Sequence, residues 1–431
     1  MKTINRRTWI QTSAALSSGF WLGTCGSAKT VSANDKLNLA FIGVGGRGAA
    51  NLGGLAKQNL VAFCDVDGTR AKQAFEKYPN VPRYTDFRKM FDERSNQIDG
   101  VVISTPDHTH FHPAYQAIQL GKHVYLEKPM AHNLWEARTL TDLAREKGVA
   151  TQLGVQRHTL ANMHRTVELI HSGAIGEVKE VYCWIDGSRG MPGEPKDKPP
   201  VPSNLDYELW TGPAAKRPYH PSITPYGWRF WWDYGTGETG NWACHILDIP
   251  FWALDLKYPT RVTASGPPVD PMRTPKSMNT TFQFPANGSR GPVTLHWDHV
   301  AKGPTILQEN NLPHKGFNTL FVGKDGMLLT GFSKLKLYPE SEFAQLEAPP
   351  RSIEPSPGFY QEWITACQGG PKATCHFDYS GPLAETALLG NLAYRCQADF
   401  DWDSKNLKTN SDQANQLIKT RYRPGWEIET A

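Results

Sequence analysis

The 431-residue chain carries 46 Lys and Arg against 42 Asp and Glu, a formal net charge of +4. Lys2, Arg6, Arg7 and Lys29 supply that excess within residues 1–33, leaving 42 basic and 42 acidic side chains beyond it, so nothing favours nucleic acid or an anionic lipid surface as partner. The roughly 400 remaining residues exceed one usual core and set two domains as the expectation, while seven cysteines without CxxC spacing argue against a structural zinc site or a dense disulfide framework.

Residues 1–33 read as a targeting segment. Arg6-Arg7 precede a modestly apolar stretch from Trp9 to Gly23, and Val31-Ser32-Ala33 offers a small-residue cleavage site, with a mature start near Asn34. With Gln11, Thr12 and Ser13 inside it, the stretch is too short and polar to span a bilayer, and no later segment is apolar enough, so stable membrane insertion is not expected. The arginine pair followed by Thr8, Trp9 and Ile10 resembles the twin-arginine signal that exports folded proteins, which implies a periplasmic or otherwise exported protein. An ordinary secretory signal stays open, and Leu22-Gly23-Thr24-Cys25 offers a lipoprotein site in which Thr24 fits poorly before the cysteine.

From Lys36 to about Leu153, short apolar runs alternate with helical stretches, the signature of a parallel sheet covered by helices. Strands are predicted at 37–42, 60–65, 99–104, 122–126 and 149–153. The helix from Leu134 to Lys147 has Asn133 as its cap, Glu136 to complete a capping-box-like pair and Gly148 as its stop, with Leu134, Ala137, Leu140 and Ala144 on one face. The first strand runs into Gly43-Val44-Gly45-Gly46-Arg47-Gly48, a GxGxxG string at a strand-to-helix turn, where backbone amides can approach a pyrophosphate. Asp65, 17 residues past Gly48 at the end of the second strand, is placed to grip the adenosine ribose. It would repel a 2′-phosphate, so NAD is favoured, while Arg70 keeps NADP open. Asp67 reads as a solvated loop carboxylate.

Ser104-Thr105-Pro106-Asp107-His108-Thr109-His110 follows the strand at 99–104, at the carboxyl edge of the sheet where ligands bind, so Ser104, Thr105, Pro106, His108 and His110 are expected to line the cofactor. His108, His110 and His112 have no acidic or cysteine partner at helpful spacing, and no metal is assigned. Glu127-Lys128-Pro129 ends the strand at 122–126 and presents an ammonium that can stabilise a developing alkoxide.

Beyond Gly154 the runs Glu180–Ile185, Thr280–Phe284, Val293–Trp297 and Thr319–Val322 suggest a mostly antiparallel second sheet, separated by proline-rich loops at 191–203, 265–276 and 348–358. Helices near 359–368 and 381–396 are expected to close this part. The fold class is therefore α/β: a targeting segment (1–33), a dinucleotide-binding domain of Rossmann type (34–153) and a C-terminal α+β domain for substrate binding and assembly (154–431). Between Trp210 and Trp252 lie six of the fourteen tryptophans, whose flat faces suit sugar rings. Trp228 and Arg229 are the preferred substrate pair, and the Gln156 amide can bind hydroxyls or the nicotinamide.

Through GVGGRG, TPDHTH, EKP and the segment Gly235–Asp248, the chain resembles the Gfo/Idh/MocA family of glucose-fructose oxidoreductase, inositol dehydrogenase and rhizopine-catabolism enzymes, over nearly all of its mature length. The resemblance implies that Lys128 is catalytic, that Glu127 contacts the cofactor, and that His245 completes the site. In the family an aspartate stands four residues before that histidine; here it is Asn241. An amide can orient an imidazole but offers no charge to stabilise the imidazolium, and Asp248 is a candidate to compensate. Analogy with the family also implies a homo-oligomer built on a face of the second sheet.

The chemistry expected is hydride transfer between NAD(P) and a hydroxyl-bearing carbon of a sugar-like or cyclitol-like small molecule, with His245 taking the hydroxyl proton and Lys128 stabilising the oxygen. Because free NAD is scarce outside the cytoplasm, an exported protein is expected to hold its cofactor tightly and to reset it in place. That leaves open a redox-neutral glycosidase, lyase or epimerase acting through a transient keto-sugar, and Asn241 leaves open a dinucleotide-binding protein without catalysis.

Overall fold

The computed structural model describes residues 36–187, 189–299 and 302–428; the segment expected to act in targeting, with its arginine pair and Cys25, lies outside these residues. Six short runs form the first sheet: β1 (Asn38–Ile42), β2 (Asn59–Cys64), β3 (Arg83–Tyr84), β4 (Gly100–Ile103), β5 (His123–Leu126) and β6 (Thr151–Leu153). All pairings are parallel, in the order β3-β2-β1-β4-β5-β6. Phe41, Val101, Ile103, Val124 and Leu126 have no exposed surface, because helices cover both faces of a parallel sheet and leave no side for polar residues. β3 has only two residues, too few for any periodicity to announce it. The order reverses between β1 and β4, opening a crevice at the carboxyl ends of the strands.

The helix Leu134–Lys147 forms within its expected bounds. The Asn133 side chain accepts the Glu136 N–H at 3.0 Å, and Gly148 ends the helix in the left-handed region at φ 65°. The Asn133 backbone N–H in turn acts on the Glu136 carboxyl and lowers its pKa, as a capping-box-like pair requires. The Glu136 carboxylate also accepts the His132 N–H (2.9 Å) and the Tyr422 hydroxyl (2.8 Å), which ties the helix start to the C-terminal segment. Burial pushes the Glu136 carboxyl up to about 7.

The second sheet has nine strands: β7 (Val178–Ile185), β8 (Arg261–Ser265), β9 (Met278–Phe284), β10 (Val293–His299), β11 (Thr319–Gly323), β12 (Met327–Thr330), β13 (Leu335–Tyr338), β14 (Phe400–Asp403) and β15 (Lys408–Thr409). Their order is β13-β12-β11-β7-β10-β9-β8-β14-β15, with only β7 and β10 parallel. β9 shows the one-sided alternation, burying Met278, Thr280, Phe282 and Phe284 while exposing Asn279 and Gln283.

The helix expected at 381–396 begins earlier, as Phe377–Cys396, and accommodates Pro382 inside it. It is buried along nearly its whole length, and that packing outweighs the intrinsic cost of the proline. It packs on Leu134–Lys147 and on β8 and β9, tying the two sheets together. Gly381 makes the close approach possible, since a Cβ there would lie 2.3 Å from Thr141 Oγ1. Across the same seam Arg138 binds the fully buried Glu385 carboxylate through Nε (2.8 Å) and Nη2 (2.7 Å). The six cysteines among the described residues are free and buried, and no helix of those residues is long and apolar enough to cross a membrane.

Candidate active site

Gly43 follows β1 with φ 78° and Gly46 opens the helix Arg47–Leu55 with φ 53°, conformations that L side chains rarely adopt. A Cβ on Gly43 would lie 2.7 Å from the Ser104 carbonyl oxygen after β4, so the turn can nest against the neighbouring strand end only as glycine. Gly45 and Gly48 are equally enclosed, by Arg70 and by the Gly43 carbonyl. Asp65, at the end of β2, is tied into this turn: Oδ2 accepts the Val44 N–H at 2.9 Å and Oδ1 the Asp67 N–H at 3.0 Å. Burial raises its pKa while these backbone donors pull it back. Each oxygen keeps acceptor capacity for a ligand hydroxyl. Asp67, expected as a solvated loop carboxylate, also caps the helix Gly68–Lys77, accepting the N–H groups of Thr69 and Arg70.

Glu127, after β5, is a hub. One carboxylate oxygen accepts Arg47 Nε (3.0 Å), Asn51 Nδ2 (3.0 Å) and Gln156 Nε2 (2.7 Å), so residues after β1, β5 and β6 are drawn to one point. Asn51 also donates to the Ser104 hydroxyl, and Gln156 to Tyr125.

Of the loop after β4, Ser104, Thr105, Pro106 and Asp107 face the cleft, but His108 and His110 do not. Both imidazoles turn inward onto carbonyls: His108 onto those of Tyr234 and Trp210, His110 onto those of Pro129 and Thr105. Burial drives the His108 pKa down to about 3, so the ring stays neutral. His112 bonds the Trp426 carbonyl at 2.8 Å. These histidines bind loops together rather than face the cleft, because each finds buried carbonyls within reach of its ring. Asp107 accepts both the backbone N–H and the hydroxyl of Thr236.

Lys128 enters the cleft and donates to the Asn241 backbone carbonyl (2.7 Å) and side-chain oxygen (3.0 Å). The Asn241 amide nitrogen donates to Glu238 (2.9 Å), and the buried Glu238 carboxylate also pairs with Arg189. Asn241 therefore holds the lysine and not the imidazole. Thr239–Ala243 is a π-helical turn, and its wider winding takes Asn241 off the face where a residue four positions before His245 would sit in an α-helix. His245 is buried, and its Nδ1 has no hydrogen-bond partner among the described residues. Asp248 does not compensate. It is fully buried against His158 Nδ1 (2.9 Å) and the Tyr379 hydroxyl (2.6 Å).

His158, Asp248 and Cys375 form the cluster whose ligand-type atoms lie within 4.8 Å of one another among the described residues. With His158 stacked on Trp252 at 4.1 Å, it anchors the short helix Asp248–Ala253 to the loop that carries Gln156 and Arg157. Burial alone would lower the His158 pKa, but the Asp248 carboxylate holds it well above its ordinary value.

The cleft has a volume of about 900 Å³, and Asp65, Phe87, Trp426, Lys128, His245 and Trp228 are among the residues that line it. Most of the aromatic-rich stretch is core: Trp210, Trp228, Trp231 and Tyr234 pack together with Tyr207, and Trp232 packs with Met278 and Tyr394. Of the six tryptophans from Trp210 to Trp252, only Trp210 and Trp228 line the cleft. Arg229 lies over the Trp228 ring at 4.3 Å. Arg157, Glu238, Asn51 and Trp426 were not singled out from sequence, and only Arg157, adjacent to Gln156, had a signal to follow.

Burial lowers the Lys128 pKa, opposed by Glu127 and Asp107 and assisted by Arg229. Burial, then Lys128, Arg157 and Arg47, holds the His245 pKa well below its ordinary value, so its imidazole is a neutral proton acceptor. A dinucleotide fits these residues: the turn keeps side chains off its own amides, and Asp65 faces the cleft beside it.

Residues 37–155 match the family model described as the oxidoreductase family, NAD-binding Rossmann fold, and residues 183–284 match its companion, the oxidoreductase family's C-terminal alpha/beta domain. The chain belongs to the Gfo/Idh/MocA oxidoreductase family. An uncharacterised oxidoreductase of Schizosaccharomyces pombe is 34% identical to this Gfo/Idh/MocA member over 142 residues, 33% of this chain and 37% of the relative. The inositol 2-dehydrogenase of Salmonella paratyphi B is 26% identical over 152 residues, 34% of this chain and 45% of the relative. The chain thus matches less than half the length of these relatives. The crystal structure of the WlbA dehydrogenase from Bordetella pertussis in complex with NADH and UDP-GlcNAcA shares the fold, with a TM-score of 0.61 at 15% identity over 86% of this chain and 98% of that one.

Proposed function

We propose that this protein is an NAD-dependent oxidoreductase that removes hydride from a hydroxyl-bearing carbon of a sugar-like substrate. The observation that carries the reading is the convergence of Lys128 and the unpartnered His245 in the cleft that also opens on the glycine turn. Glu127, Gln156, Asp65 and the turn from Gly43 to Gly48 would hold the dinucleotide, whose nicotinamide supplies the hydride acceptor when bound.

His245, kept neutral by its surroundings, takes the hydroxyl proton. Lys128 donates to the same oxygen as negative charge develops on it, and Asn241 fixes the ammonium by two bonds. Trp228 and Arg229 form a wall against which a sugar ring can lie.

Export through the arginine pair, tight cofactor retention and assembly through the second sheet belong to the same reading. Recording absorbance in the reduced-nicotinamide band of the purified protein while sugars and cyclitols are added tests it. Persistent reduction by one of them is expected; product formation without net reduction would replace it with the redox-neutral cycle, and bound dinucleotide with neither would replace it with a binding role. Mass analysis of small molecules released on denaturation identifies the cofactor independently.

A further inference from the structure

Two guanidiniums of the cleft are left without an acid. Arg157 lies over the rings of Phe332 (3.9 Å) and Trp242 (5.4 Å), and Arg229 over those of Trp228 (4.3 Å) and Tyr226 (4.7 Å). Both are half-buried and line the cleft. Among the described residues neither has a hydrogen-bond or ion-pair partner, whereas Arg47 is paired with Glu127 and Arg189 with Glu238. The carboxylates that might have served them are committed elsewhere: Glu127 to Arg47, Asn51 and Gln156, Asp107 to Thr236, and Glu238 to Arg189 and Asn241.

The pair also shares the cleft with the reactive groups. Arg229 acts electrostatically on Lys128, and Arg157, with Lys128 and Arg47, on His245, so both guanidiniums are within electrostatic reach of the reactive pair. Stacking on an aromatic ring fixes the plane of an arginine while its N–H edge stays available, which preorganises the fork for a carboxylate or similar planar acid. A neutral sugar would leave both cations in the cleft uncompensated beside Lys128.

We propose that the substrate is an acidic sugar or sugar-like acid, its anionic group bound by Arg157 and Arg229 while the carbon to be oxidised lies at Lys128 and His245. This rests on the hydride-transfer reading for the position of the reacting carbon, but not for the charge. The cofactor's own phosphates are a second source of negative charge. They are assigned to the glycine turn and Arg70, because the two arginines group with Lys128 and His245 instead.

The test titrates the protein, purified with its cofactor, with matched pairs such as glucuronate against glucose and galacturonate against galactose. Binding is followed by calorimetry and, separately, reduction by nicotinamide absorbance. The acid is expected to bind roughly tenfold or more tightly than its neutral partner in at least one pair, with a preference that falls as salt rises. Arg157→Gln and Arg229→Gln are each expected to shrink that preference while bound dinucleotide stays at the wild-type level. Binding of no acid, equal binding within every pair, or loss of the dinucleotide in the two variants overturns the proposal. Preferential acid binding without reduction by any sugar removes the hydride reading and leaves this one standing; reduction by neutral sugars without acid preference does the opposite.

Discussion

The Lys128 ammonium and Asn241 are joined twice, through the asparagine's backbone carbonyl at 2.7 Å and its side-chain oxygen at 3.0 Å. Replacing Lys128 by alanine removes the donor aimed at the developing alkoxide. Turnover is expected to fall by about 10²–10³ or more, the usual loss for one preorganised donor, while dinucleotide released on denaturation stays near the wild-type amount. Turnover within a few-fold of wild type would remove Lys128 from the chemistry.

Asn241→Asp restores the family's residue but places a carboxylate beside Glu238, where the amide now donates at 2.9 Å. Two like charges at that distance oppose one another, so stability is expected to drop by about 1–3 kcal/mol. The new carboxylate also faces Lys128 and raises its pKa, which shifts the alkaline limb of the pH–rate profile upward. An unmoved limb would show that Asn241 does not govern the lysine.

Arg138→Met strips the buried Glu385 carboxylate of its bidentate partner. Burial already pushes Glu385 up to about 7 with the arginine in place. An unfolding free energy lower by about 3–5 kcal/mol is expected from denaturant titration, with much of it recovered in the double variant Arg138→Met, Glu385→Leu. A single-variant loss below about 1 kcal/mol would mean that the seam between the two helices tolerates the bare carboxylate.

His112 has its pKa lowered to about 4, chiefly by burial, although the Trp426 carbonyl it bonds opposes the shift. The unfolded chain takes up that proton near 6.5 and the native state only near 4, so this contribution to stability is complete above pH 6.5 and is lost as pH falls through 4. His112→Gln keeps a donor for Trp426 and does not titrate. Its stability is expected to fall less steeply than wild type between pH 6.5 and 4, by up to about 1.4 kcal/mol per pH unit. Parallel slopes would assign the acid sensitivity to other groups.

Much of the site is legible because its parts follow strand ends. Gly43 after β1, Asp65 after β2, Ser104 after β4 and Lys128 after β5 must meet at one edge once the sheet is parallel. The relation between Asn241 and His245 is not legible, since a spacing of four implies a shared face only in an α-helix and this stretch is π-wound. His108 and His110 sit on the correct loop, yet the direction of a side chain depends on which buried carbonyls lie behind it. The tryptophans mislead for a related reason: composition counts rings without showing which of them one another's packing consumes.

Trp426 lines the cleft beside Phe87, far from the glycine turn in the chain but in the same cavity. The wall it provides is therefore missing while the polypeptide emerges from the ribosome, even after the parallel sheet and the turn have been made. The cleft has all of its walls only once synthesis has passed Trp426. A chain truncated before Trp426 would carry every glycine of the turn and still lack one side of the cleft.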